Sequence, residues 1–174
     1  MKSRMTYRTV TGKDIIIGNL KPGDIDIQTI ARGLAKQNRY NGQGNSDLTV
    51  LTHSMWVAHK VLKQSQCTHT TLLALLHDAS EAYISDIHGG TKRMFTEYMR
   101  FEQKLSLDIL EQLGIKGPNI LQQNIIKHHD KAIVSEEKHF LFGAGNHTVH
   151  NVTEQRFIAY FNELKTAINP ISDD

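Results

Sequence analysis

The chain has 174 residues, of which 39% are hydrophobic and 22% charged, with a formal net charge of +2. This length and balance predict one domain over 1–174 with one hydrophobic core, and exclude a disordered polymer. The charge is too mild to point to a nucleic-acid polymer as partner, but it leaves room for a small anionic substrate held by a few local cations.

Two short extended runs, Tyr7–Val10 and Asp14–Ile17, flank Thr11-Gly12-Lys13 and predict a small hairpin. Lys21-Pro22-Gly23-Asp24 is turn chemistry, and Asp26 is placed to cap a helix running to about Asn38, with Ile27, Ile30, Ala31 and Leu34 on one face. Asn41–Asp47 is rich in glycine and asparagine and reads as a loop. A second helix is expected from about Thr49 to Lys63, and a third from about Thr70 to Ile84, apolar almost all round at Leu72–Leu76 and therefore central. Gly89-Gly90 breaks the chain. A long helix follows over about Thr96–Leu113, with Gly114 as its stop, then one over about Asn119–Phe142. Gly143–Asn151 reads as a loop, and a last helix from near Thr153 buries Phe157, Phe161, Leu164 and Ile168. The fold class is all-α, a helical bundle with a short N-terminal β-hairpin.

Cys67 is the one cysteine, so no internal disulfide forms and a reducing compartment is expected. Met1–Val10 lacks the apolar segment of a signal peptide, and the longest apolar runs are far too short to span a bilayer. The expectation is a cytoplasmic protein with no membrane partner.

The histidine count, ten, invites a search for metal ligands. The strongest local signal is His77-Asp78, following Leu-Leu-Ala-Leu-Leu. A carboxylate in so apolar a stretch needs a cation or several donors, and a divalent metal supplies the cation. Adjacent helix residues point about 100° apart, so further ligands must come from other helices. His53 and His128-His129-Asp130 lie on two of them. Imidazole plus carboxylate without thiolate suits Mn, Fe(II), Co, Ni or Zn with an open position, not a structural zinc site. Glu81 stands four residues after His77 and three after Asp78, on their face, where it can handle the proton of an attacking water. Arg39, Lys92 and Lys127 are cations placed to hold phosphates. His59, His69, His88, His139, His147 and His150 have no comparable context and are expected at the surface or in loops.

These parts together resemble the small bacterial and phage HD-domain hydrolases. The resemblance is carried by Gly12-Lys13, Asp24-Ile25-Asp26-Ile27, Arg39-Tyr40-Asn41-Gly42, Thr52-His53-Ser54, Leu75 through Ile87, Lys92-Arg93 and His129-Asp130, over about residues 10–142. It implies the HD fold, a divalent metal on His53, His77, Asp78 and Asp130, Glu81 as acid/base, and Asp86 as the residue that reads the sugar. Asp86 is eight residues beyond Asp78, roughly 12 Å on if the helix continued. Arg39, Tyr40, Lys92 and Lys127 complete the implied substrate site, and a second divalent ion can accompany the phosphates. Within the family the likeness is to the phage dATP triphosphohydrolases, although Tyr40 stands where related enzymes often carry tryptophan or phenylalanine.

The implied reaction is hydrolysis of a deoxynucleotide at the α-phosphorus, giving nucleoside and triphosphate from dATP. Two alternatives stay open: a 5′-deoxynucleotidase acting on monophosphates, which attacks the same atom, and a silent HD domain that senses a nucleotide. A cyclic-dinucleotide phosphodiesterase fits less well, since no Gly-Tyr-Pro element follows the His-Asp pair. A homo-oligomer built on a dimer is expected, from family habit and from the apolar residues of the helices at 96–113 and 153–168.

Overall fold

The computed structural model describes residues 6–144 and 148–168; expectations for Gly145–His147, including a surface His147, lie outside them. An antiparallel hairpin opens the chain, β1 (Thr6–Arg8) paired with β2 (Asp14–Ile16). Gly12 turns it at φ 83°, a conformation that costs glycine nothing. Among the described residues eight α-helices follow: α1 (Ile27–Ala35), α2 (Val50–Ser65), α3 (Thr68–Leu75), α4 (Glu81–Ile84), α5 (Gly89–Lys92), α6 (Thr96–Gln112), α7 (Ile120–Phe142) and α8 (Glu154–Ile168). The chain is an all-α bundle with an N-terminal hairpin.

Caps fix the starts. Asp26 accepts from the Thr29 N–H at α1, Thr49 from Thr52 at α2, and Asn119 forms a reciprocal capping box with Gln122 at α7. Helices α2 and α3 pack together at the centre, with α7 across both and α8 against α1 and α3. The core runs from Ile15 through Leu34, Leu51, Leu72, Leu75 and Ile109 to Phe157 and Phe161. Phe157 is fully buried, and truncating such a side chain to alanine costs about 3–5 kcal/mol.

Three elements differ from the sequence expectation. Helix α1 stops at Ala35, because the chain then pairs back on itself: Asn38 bridges Thr49, and the Arg39 N–H donates to the Leu48 carbonyl at 2.7 Å. The helix expected over 70–84 is two helices, α3 and α4, with His77 and Asp78 in tightened turns between them. In an unbroken helix the Ala74 carbonyl would accept from the Asp78 N–H; here it accepts from the His77 N–H and from His77 Nδ1, at 2.8 Å. The side chain takes the acceptor, and the backbone answers with i→i−3 bonds from Ala79, Glu81, Ala82 and Tyr83. Gly89-Gly90, read as a break, instead opens α5, whose first turn His88 caps by accepting from the Gly90 N–H.

Two contacts set α4 against α1. A Cβ on Gly33 would lie 2.7 Å from the Ala82 Cβ and carbonyl oxygen, so only glycine admits this approach. Gln37 then staples the two ends, donating to the Glu81 carbonyl and accepting from the Asp86 N–H, both at 2.8 Å.

The apolar surplus expected on two helices goes different ways. On α8, Phe157, Phe161 and Leu164 enter the core. On α6, Met99 and Leu107 stay exposed, next to exposed Met94 and Phe95. No helix among the described residues is long and apolar enough to cross a membrane.

Candidate metal centre

Three chain segments deliver ligand atoms to one point. His53 comes from the first turn of α2, fully buried; His77 and Asp78 from the turns after α3; and Asp130 from mid-α7. His53 Nε2 lies 3.3 Å from His77 Nε2, 3.2 Å from Asp130 Oδ1 and 3.6 Å from Asp78 Oδ2. His77 Nε2 lies 3.2 Å from Asp78 Oδ2 and 3.9 Å from Asp130 Oδ1. Ligand atoms about 2.1 Å from one ion stand about 3.0 Å apart at right angles and about 3.4 Å at tetrahedral angles. The observed separations, 3.2 to 3.9 Å, begin within that range and run somewhat above it. His53, His77 and Asp130 form a group able to hold a metal ion, and Asp78 stands beside it.

Both imidazoles are held the right way round. His77 Nδ1 donates to the Ala74 carbonyl, and His53 Nδ1 to Glu137 Oε1 at 2.6 Å. Each acceptor requires the proton on Nδ1, so each ring presents the Nε2 lone pair to the cluster. Without a cation the electrostatics are those of His–carboxylate ion pairs. Burial works to lower His77, but Asp78 and Asp130 outweigh it and carry it up to about 9. Asp78 is held well below the carboxylate range, burial being outweighed by His77, His53 and Arg39.

The start of α2, and with it His53, is pinned from outside. Asn151 Oδ1 accepts from the Thr49 N–H at 3.0 Å and from the Thr52 hydroxyl at 2.9 Å. The turns at His77–Ser80 place Glu81 beside the cluster, buried, with Lys92 Nζ donating to its Oε1 at 3.0 Å. Glu81 Oε2 is buried and hydrogen-bonded to no group among the described residues. Burial, then Asp78 and Asp86, push this carboxyl up to about 9 against the pull of Lys92; a cation in the cluster would oppose that shift.

Arg39 and Tyr40 sit in a 3₁₀ turn, Arg39–Gly42, in which Tyr40 and Asn41 both have φ 55°. Left-handed backbone costs a non-glycine residue roughly 1–2 kcal/mol, and such strain gathers where a side chain must be aimed. Arg39 sends Nη1 to Asp86 Oδ2 at 3.4 Å and Nη2 to Glu137 Oε2 at 3.3 Å, while the Tyr40 hydroxyl donates to the same Oε2 at 3.2 Å. Asp86 does not continue a helix from Asp78. Ser85, at φ 71°, turns the chain after Ile84 and folds Asp86 back toward Arg39.

A cleft of about 370 Å³ opens on the cluster and is lined by Arg39, Tyr40, Asp78, Glu81, Asp86, Lys92, Arg93, Asp130 and Lys138. The structure thus brings together His53, His77, Asp78, Asp130, Glu81, Arg39, Tyr40, Asp86 and Lys92. Lys127 does not line this cleft; it is exposed on α7 and lines a second one, which also reaches His77, Asp78, Lys92 and Asp130. Lys92 is not a free cation, since Glu102 holds it at 2.6 Å as well as Glu81. Of the triplet His128-His129-Asp130 only the aspartate joins the cluster; His129 turns to Gln64. His59, His88, His139 and His150 are exposed, and His69 bonds Gln122 and the Lys116 carbonyl. Sequence reasoning missed Glu137, Gln37 and Asn151. Glu137 had a signal, being seven residues after Asp130 and so on the same α7 face.

No protein-family model matches the chain. It is 28% identical over 131 residues to YfdR of Escherichia coli, an alignment that covers 75% of this chain and 69% of that protein. It is 29% identical over 117 residues to the Rhodobacter capsulatus protein RCAP_rcc00048, covering 64% of this chain and 60% of that one. Neither relative's name states an activity.

Proposed function

We propose that this protein is a metal-dependent phosphohydrolase of the HD type that cleaves a deoxynucleotide at the α-phosphorus. The observation that carries the reading is the convergence of His53, His77 and Asp130 on one point, with Asp78 against both histidines and buried Glu81 and a cation-lined cleft beside them. The donor set, two Nε2 lone pairs and two carboxylates, fits Mn, Fe(II), Co, Ni or Zn. Bound there, such an ion lowers the pKa of water and neutralises charge on a phosphoryl oxygen.

The chain's own residues supply the rest. With a cation in the cluster to hold Glu81 ionised, its Oε2 would take the proton of the attacking water, while Lys92 holds the other oxygen in place. The water oxygen bonds to phosphorus, the ester bond to O5′ breaks, and the proton passes on to O5′. Arg39 faces the phosphate, its guanidinium fixed by Asp86 and Glu137. Asp86 carries a carboxylate to the sugar side of the same cleft.

A specific observation bears on substrate length. The resemblance offers Lys92 and Lys127 for the phosphates of dATP, but Lys92 is shared by two carboxylates and Lys127 lines the second cleft, whose other lining groups include the apolar Leu107, Leu110 and Ile126 and the carboxylate of Glu102. That pairing favours a deoxynucleoside monophosphate over the triphosphate. A panel of dNMP and dNTP substrates with each divalent metal, reading phosphate against triphosphate, tests both. Phosphate from dAMP is the expected product. Intact triphosphate from dATP would restore the triphosphohydrolase, and binding without turnover would make the domain a nucleotide sensor. With this reading goes a homo-oligomer built on a dimer, carried by exposed Met94, Phe95, Met99 and Leu107; sedimentation showing only monomer at micromolar concentration would remove it.

A further inference from the structure

Glu137 is 1% exposed, on α7, two turns beyond Asp130. A buried carboxylate is costly unless donors surround it, and Glu137 has three, divided between its two oxygens. Oε1 accepts from His53 Nδ1 at 2.6 Å. Oε2 accepts from Arg39 Nη2 at 3.3 Å and from the Tyr40 hydroxyl at 3.2 Å. One oxygen therefore serves the cluster and the other serves the strained turn that lines the cleft.

We infer that Glu137 is a positioning residue that locks the His53 tautomer for the metal with one oxygen and fixes the substrate-facing Arg39–Tyr40 turn with the other. The inference rests on the reading of His53, His77, Asp78 and Asp130 as a metal centre. It follows from geometry: a ring whose Nδ1–H is committed to a carboxylate offers Nε2 only, and a guanidinium held at Nη1 by Asp86 and at Nη2 by Glu137 cannot swing. Both duties fall on one carboxylate, one on each oxygen. Arg39 is also the cation that makes burial of the charge tolerable.

Glu137→Gln separates the two duties. The amide has one acceptor and one donor end. If its NH₂ faces His53, the ring is driven to the Nε2–H tautomer, which cannot ligate. If its NH₂ faces Arg39 and Tyr40, three donors crowd together and the turn loosens. The first measurement is the Mn²⁺ dissociation constant by calorimetry without substrate, together with the visible spectrum of the Co²⁺ form. Outer partners of metal ligands are typically worth about 10–100-fold in affinity, so Glu137→Gln is expected to weaken Mn²⁺ by that factor and alter the Co²⁺ bands. Glu137→Asp, charged but shorter, falls between it and wild type. Arg39→Ala keeps Mn²⁺ affinity at the wild-type level or tighter while KM rises, because it removes a cation and no ligand support.

Folded Glu137→Gln and Glu137→Asp proteins that both keep wild-type Mn²⁺ affinity, an unchanged Co²⁺ spectrum and a wild-type KM overturn the inference. Should neither variant fold, the imidazole ¹⁵N shifts of the Zn²⁺-loaded wild type decide, and a His53 ring protonated at Nε2 overturns it. Asp130→Ala is the control. If it abolishes uptake while both Glu137 variants bind normally, the metal centre stands and only the role of Glu137 falls. If wild type takes up neither ion, both fall.

Discussion

Two clefts of about 370 Å³ each meet at the His53–His77–Asp78–Asp130 cluster, and they share Asp78, Lys92 and Asp130. Their volumes are equal, so size does not select between them. The first is lined by Arg39, Tyr40, Asp86, Arg93 and Lys138 and is built largely from connections, where Tyr40, Asn41 and Ser85 hold left-handed backbone. The second is lined by Leu73, Leu76, Leu107, Leu110 and Ile126, with Glu102, Gln103, Ser106 and Lys127 among them, and is built largely from helix faces. Regular helices present apolar stripes because their period makes stripes. Irregular connections can aim several polar groups at one point, at a cost in strain that the packed scaffold absorbs. The candidate metal-binding residues stand where the two kinds of wall join. On the proposed function, chemistry on a charged phosphate belongs to the first cleft, and variants graded by distance from the junction test that division.

The largest effect is expected at the junction itself. Asp78→Ala and His77→Ala should each lose the ion and with it all metal-dependent activity, and EDTA should do the same to wild type. Full activity in either variant after rigorous metal removal would end the assignment. The pH dependence has a definite sign. His77 is raised to about 9, so the metal-free ring is protonated at neutral pH and an entering ion must displace that proton. Apparent metal affinity should rise with pH, about tenfold per unit per proton displaced, and level off above about 9. Calorimetry in buffers of different ionisation enthalpy reads the released proton directly; uptake without release contradicts it.

One step out, Glu81→Ala should keep the ion and slow turnover by about 10²–10⁴-fold, the usual worth of general acid/base help. Metal loss in this variant would turn Glu81 into a ligand, and an unchanged rate would remove it from the reaction. Arg39→Ala, on the wall of the first cleft, should lower kcat/KM by about one to two decades, corresponding to one charge-assisted hydrogen bond of roughly 1.5–3 kcal/mol. The loss should appear mostly in KM. An equal loss with an apolar phosphate ester and with a nucleotide would show that Arg39 meets the phosphate, not the sugar or base.

The same division explains what was legible in the sequence. Helices α2, α6, α7 and α8 were readable because their apolar periods agree with their packing; Thr49, Asn119 and Gly114 stand where the pattern puts the ends of α2, α7 and α6. His77 and Asp78 were readable because a histidine and a carboxylate in an apolar run are conspicuous; His53 and Asp130 were placed with them by the resemblance. The break at Leu76 was not, since it depends on His77 bonding the Ala74 carbonyl, a choice no propensity encodes. Glu137 looked like one more charge on a long helix until His53 arrived from another helix, 84 residues away in sequence. Lys92 looked free because its partners, Glu81 and Glu102, are brought to it only by the turn through α5.

The smallest effect is expected in the second cleft, and it decides substrate length. Lys127 is exposed on α7, three residues before Asp130, and neighbours Leu107, Pro118 and Gln123 in that cleft's lining. A monophosphate with its phosphorus at the junction places its remaining oxygens against Arg39 and the ion, leaving none for Lys127. Lys127→Ala should then change kcat/KM for dAMP by less than about threefold, since surface substitutions away from special features stay within roughly 0.5 kcal/mol. A triphosphate would extend two further phosphates from the junction, and the second cleft is the direction in which Lys127 could meet them. In that case the same variant should lose about one to two decades on dATP. Lys92→Ala alone cannot separate these cases, because it also frees Glu81 and slows either substrate. The ratio of the Lys127→Ala effect on dATP to that on dAMP is therefore the discriminating number. A ratio near one, with wild type preferring dAMP, keeps the second cleft out of the reaction. A ratio of ten or more, with intact triphosphate released, brings it in and makes Lys127 part of the site.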